Sequence, residues 1–132
     1  MSKHAAIWID HKEAHVLLLR PDDVKEAIIR AHPDHIHHKH HEKDANASEK
    51  RFFQEVAEQL RSSEAILIVG PSTAKLDFLR YLHKHNPNLE TKIVAIETVD
   101  HPTDAQLIAF VRKYFSDHGD AAAKSSALPA PS

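Results

Sequence analysis

Between His32 and His41 the chain reads HPDHIHHKHH, and six of these ten residues are histidine, against seven in the remainder of the sequence. Imidazole is a ligand for Zn, Ni and Cu, so His35, His37, His38, His40 and His41 offer several ligand pairs. Asp34, Glu42 and Asp44 are carboxylates that could complete a shell. In an extended segment His35 and His37 project to one side, His38 and His40 to the other. A structural zinc ion needs about four rigidly held ligands, and the segment shows no second anchor. Weak nickel capture, as by a histidine tag, needs less. The same run, with Lys39 and Lys43, also presents donors to nucleic-acid phosphate, more of them once imidazoles protonate near pH 6. Its rings could stack on unpaired bases. The third reading is a solvated loop without a dedicated ligand.

Other chemistry is thinner. GPSTAK (Gly70 to Lys75) follows an apolar run and opens a helix, where backbone amides and Lys75 could meet a phosphate. It lacks the G-x-x-x-x-G-K-[ST] spacing of nucleotide hydrolases, so a tight turn with a Ser72 or Thr73 cap is the plainer reading. His101 stands beside Asp100, but there is no cysteine and no serine in a nucleophile elbow, so it reads as a turn histidine. Trp8 lies in an apolar strand and reads as core. His83 and His85 are two apart on a helix and do not share a face.

The elements that must position these groups follow from periodicity. AAIWID (Ala5 to Asp10) and HVLLL (His15 to Leu19) read as strands, and VKEAIIRAH (Val24 to His32) as a third. The polar loop 32–46 follows. Asn46 with Glu49 forms a candidate capping box for a helix from about Ala47 to Arg61 that carries Phe52, Phe53, Val56, Ala57 and Leu60 at helical spacing. AILIV (Ala65 to Val69) is apolar throughout, as a central parallel strand is. A second helix carries Leu76, Leu79, Tyr81 and Leu82 and stops at NPN (Asn86 to Asn88). KIVAIE (Lys92 to Glu97) is the last strand. Thr103 and Gln106 form a second candidate capping box, before a helix buried through Leu107, Ile108, Val111 and Phe115. After Asp117 the composition (Ala, Ser, Pro) is that of a disordered tail. The expectation is one α/β domain over 1–117 and a tail over 118–132. Its order is β-β-β-α-β-α-β-α in a ribonuclease H-like mixed sheet with helices on the sheet faces.

Composition excludes several classes. A chain of 132 residues, 42% apolar and 27% charged, is an ordinary globular domain. No apolar run nears the roughly 18 residues of a membrane span, and the start MSKHAAIWID has no signal-peptide pattern, so the expected location is cytoplasmic. Zero cysteines exclude disulfides and thiolate sites. Net charge is −2 with histidines neutral, a figure that shifts below about pH 6.5.

AIWIDHKEAHVLLL, AIIRAH, AILIVGPSTAKLDFLRYL and KIVAIETVDHPTDAQLIAFVRKYF, in this order, resemble the middle domain of archaeo-eukaryotic peptide-chain release factors and Pelota. They are especially similar to short bacterial relatives usually called translational machinery proteins. The resemblance covers roughly Ala5 to Phe115, and its most specific parts are GPSTAK and ETVDHPTD (Glu97 to Asp104). It implies the same β-β-β-loop-α-β-α-β-α order and a partner in the ribosome or structured RNA. In the release factors the loop after the third strand carries a hydrolytic Gly-Gly-Gln. Here that slot holds HPDHIHHKHHEKDANA, and neither Gly70 nor Gly119 precedes a glutamine. The expectation is therefore a non-catalytic, translation-associated protein with no required cofactor. Its contacts would be His35, His37, His38, Lys39, His40, His41 and Lys43, with Lys75 and Arg80 beside them.

Two alternatives stand next to it. One is a Zn or Ni protein binding through His35, His37, His38 and His40. The other is a metal-dependent nuclease built on Asp10, where nucleases of this fold keep a carboxylate, with Asp100 and Asp104. Two-metal chemistry needs several converging carboxylates, and the strand AILIV ends in Gly70 rather than an acid.

Overall fold

The computed structural model describes the backbone of residues 3–31 and 42–127, and side chains over 3–31 and 49–117. Five strands, β1 (His4–Ile9), β2 (Glu13–Leu19), β3 (Val24–Arg30), β4 (Ala65–Gly70) and β5 (Ile93–Thr98), form one sheet in the order β3-β2-β1-β4-β5. β2 is antiparallel to β1 and β3, whereas β1, β4 and β5 run parallel. Among the described residues there are also four helices: α1 (Glu42–Gln59), α2 (Ala74–His85), the single turn α3 (Pro87–Glu90) and α4 (Asp104–Ala127). This is the expected mixed α/β sheet with helices on its faces, plus one extra helical turn.

The two-residue period of strands sends alternate side chains to opposite faces. Ala5, Ile7 and Ile9 of β1, with Val16, Ile66 and Ile68, pack against Phe52, Phe53, Val56 and Leu60 of α1 and Phe78 and Leu82 of α2. Ala6 and Trp8, with Leu17, Leu67 and Val69, pack against Leu107, Val111 and Phe115 of α4. Both faces of β4 are buried along its whole length, which is why its sequence is apolar without alternation. No helix among the described residues is long and apolar enough to cross a membrane.

Several boundaries differ from the sequence reading. α1 starts at Glu42, not near Ala47, so Asn46 lies inside the helix and does not cap it. Glu, Lys and Ala are good helix formers, and EKDA extends the helix toward its N-terminus. Thr73 precedes α2 in a helical conformation without a side-chain cap, and Ser72 Oγ only reaches the Ala74 N–H at 3.5 Å. NPN does end α2, but Asn86 then accepts from the Leu89 N–H at 3.3 Å and starts α3, with Pro87 at its first position. The second capping box forms in full. Thr103 Oγ1 accepts from the Gln106 N–H at 3.1 Å, and Gln106 Oε1 accepts from the Thr103 N–H at 2.9 Å. Helical backbone continues to Ala127, past Asp117 where composition puts the start of a tail. The alanines of DAAAKSSA carry little helix cost.

Candidate functional site

The carboxyl ends of β1, β4 and β5, the β1–β2 turn, the end of β3 and the first turns of α2 and α4 share one end of the sheet. Chain order reverses there, between β1 and β4, and open α/β sheets take ligands at such points. Ala31, the last described residue before segment 32–41, donates its N–H to Lys12 O at 2.8 Å across the β1–β2 turn. His35, His37, His38, Lys39, His40 and His41 lie outside the described residues, and Lys43 is described only as backbone of α1.

The turn beside the segment is tightly built. Asp10 Oδ1 accepts from the Lys12 and Glu13 N–H groups at 2.8 and 2.9 Å. Its carboxylate therefore serves the turn. At the end of β4, a Cβ on Gly70 would stand 2.3 Å from Ile9 O, and Gly70 O accepts from Val99 N–H at 3.0 Å. Close approach of β1 to β4 is the reason for a glycine where a nuclease would hold an acid.

The two basic residues expected beside the loop fare differently. Lys75 is buried, 7% exposed, and its ammonium donates to Ser72 O at 2.6 Å, closing the GPST turn from within. Arg80 is exposed, in a 2.8 Å ion pair with Asp77. Asp10, Asp100 and Asp104 do not converge among the described residues. Asp100 holds His101 Nδ1 at 3.0 Å, as the turn reading expects, while Asp104 lies near His15. Trp8 is core, 5% exposed, and its Nε1 donates to Asp100 O at 2.8 Å.

Periodicity alone does not reveal the most connected polar group here. His15, on β2, sits edge-on to Trp8, 5.6 Å between ring centroids. Its Nδ1 faces Glu26 Oε2 on β3 at 3.2 Å and its Nε2 faces Glu13 Oε2 at 3.1 Å. Burial works to lower the His15 pKa, but the hydrogen bonds and charges of Glu13 and Glu26 outweigh it and raise the imidazole above its ordinary value. A neutral ring has one N–H and cannot serve two carboxylates, whereas the imidazolium serves both. The signal lay in E-x-H on β2 and Glu26 on β3. It becomes readable only with the register, which pairs His15 with Ile28 and sets Glu26 on the diagonal. On the other side of the sheet, His11, Glu49 and Asp77 also bring ligand atoms within 4.8 Å of one another.

No family model matches the chain. A Pelota homologue of Thermococcus onnurineus (strain NA1) is 32% identical over 106 residues, 74% of this chain and 29% of the relative. Among solved structures, Pelota of Archaeoglobus fulgidus superposes with a TM-score of 0.66 at 22% identity, over 96% of this chain and 34% of that one. S. cerevisiae Dom34, a translation termination-like factor involved in RNA quality control pathways and interacting with Hbs1, gives 0.59 at 11% identity, over 94% and 37%. The chain thus spans about a third of the length of these proteins.

Proposed function

We propose that this chain, which resembles one domain of Pelota and the release factors, acts in translation by binding the ribosome as a non-catalytic module. The observation that carries the reading is the match to a Pelota homologue at 32% identity over 106 residues, together with a Pelota-like fold along nearly the whole chain. By the resemblance to the release factors, HPDHIHHKHHEKDANA (32–47) stands in the sequence where they carry their hydrolytic Gly-Gly-Gln, and it holds histidines instead. A loop without that tripeptide has no means of placing a hydrolytic water by the family's route. It keeps donors for phosphate: His35, His37, His38, Lys39, His40, His41 and Lys43, with exposed Arg80 on the neighbouring helix. Lys75 contributes from within, by holding the GPST turn through Ser72 O.

The test is sedimentation of untagged protein with ribosomes through sucrose, beside a variant with the six loop histidines changed to alanine. Loop-dependent co-sedimentation that weakens with salt, as phosphate contacts do, is the expected result. If neither form travels with ribosomes, the reading is wrong.

A further inference from the structure

We propose that His15, Glu26 and Asp104 form a binding site for one divalent transition-metal ion of the zinc class, joining β2 and β3 to the start of α4. The three ligand atoms lie within 4.8 Å of one another. Ligands at about 2.0–2.1 Å in a zinc tetrahedron stand roughly 3.3 Å apart. His15 Nδ1 and Glu26 Oε2, at 3.2 Å, are already at that spacing. Asp104 closes the remainder by side-chain rotation, being exposed on the first turn of α4.

The rest of the corner fits an ion better than it fits a bare cluster of acids. Metal-bound histidines usually donate their other ring N–H to a carboxylate, which fixes the tautomer and raises ligand basicity. Glu13 Oε2, 3.1 Å from Nε2, stands in that position, and Arg30 Nε lies 3.7 Å from the other oxygen of Glu13. Three carboxylates against one guanidinium leave a negative corner that a dication neutralises. The roughly +0.5 charge of the α4 N-terminus opposes the ion, but it is small beside those carboxylates. The His15 side chain is 18% exposed and that of Glu26, on the edge strand β3, is 26% exposed. The ion's water-facing side stays open, since Ile28, opposite His15, is 47% exposed. Trp8 walls the inner side, with His101 on its other flank at 5.1 Å.

The ion would take the place of the proton on Nδ1, so binding releases a proton and tightens as pH rises. Without an ion, Nδ1 faces Glu26 at 3.2 Å and Nε2 faces Glu13 at 3.1 Å. The His11–Glu49–Asp77 group is the weaker candidate, because Asp77 is already engaged by Arg80.

Zinc titration followed by calorimetry decides the matter, using the full chain with the six loop histidines replaced by alanine so that the loop does not contribute. One ion per chain and a rise in Tm are expected. His15→Gln and Asp104→Asn should each weaken binding at least tenfold, Glu13→Ala about 10–100-fold, and His101→Gln not at all. No zinc binding in this background, or binding indifferent to Asp104→Asn, overturns the site. If His15→Gln does not fold, Glu26→Gln and Asp104→Asn carry the same decision. The site can fail while loop-dependent sedimentation survives, so the two readings are separable.

Discussion

Two regions of this chain concentrate histidine chemistry in opposite ways. Segment 32–41 does it by adjacency, with six imidazoles in ten residues and little between them. The corner around His15 does it with one imidazole, flanked by carboxylates from positions 13, 26 and 104 that meet through strand register and the docking of α4. A run of ligands raises the chance of capturing an ion but fixes no geometry. Side chains on paired strands have their spacing set in advance, which is what lowers the ordering cost of binding. Histidine density along a sequence is thus a poor guide to where a histidine is held.

The sharpest way to break this contrast is to loosen the helix that brings Asp104 to the corner. Phe115 is 5% exposed against the α4 face of the sheet, and Phe115→Ala should cost about 3–5 kcal/mol in urea denaturation. The same change should weaken the zinc-induced rise in Tm and leave retention on nickel resin, which needs only the loop's composition, intact. Next come two single contacts at the same end. Trp8→Phe removes the bond to Asp100 O and should cost about 1 kcal/mol by the same assay. Thr103→Ala breaks half of the capping box beside Asp104, again at about 1 kcal/mol. Equal stability of Thr103→Ala and wild type would show that the box does not anchor α4.

Smaller still is the pH dependence of His15. Folding raises its pKa, so the folded chain holds that proton more tightly than the unfolded one. Its contribution is complete below about pH 6.5, the unfolded value, and fades as pH climbs through the higher folded value. In chelator, the wild type should lose more stability between about pH 6 and pH 8 than His15→Gln does; parallel curves would remove the two carboxylates as the cause. Smallest is Arg80→Ala. Its exposed pair with Asp77 is worth under about 1 kcal/mol, so denaturation should barely register it, while a contact with ribosomal phosphate would appear as weaker sedimentation at raised salt.

The sequence alone determined the order of the strands and long helices, because hydrophobic periodicity is a local property that needs no partner. It also determined the Thr103–Gln106 box, whose two members lie one helical turn apart and close on each other. Asn46 and Glu49 have the same pattern and form no cap, since the residues before them continue the helix to Glu42 and local propensity does not say which start wins. Lys75 read as a candidate hydrogen-bond donor to a phosphate. Only tertiary packing put its stem among buried residues and turned its ammonium back to Ser72 O. Gly70 read as a turn residue, while its need to be glycine comes from Ile9 O on a neighbouring strand. His15 was the least legible, because a one-residue slip in register would carry Glu26 to the opposite face of the sheet. Which carboxylates meet an imidazole is decided across strands, and no spacing along the chain contains it.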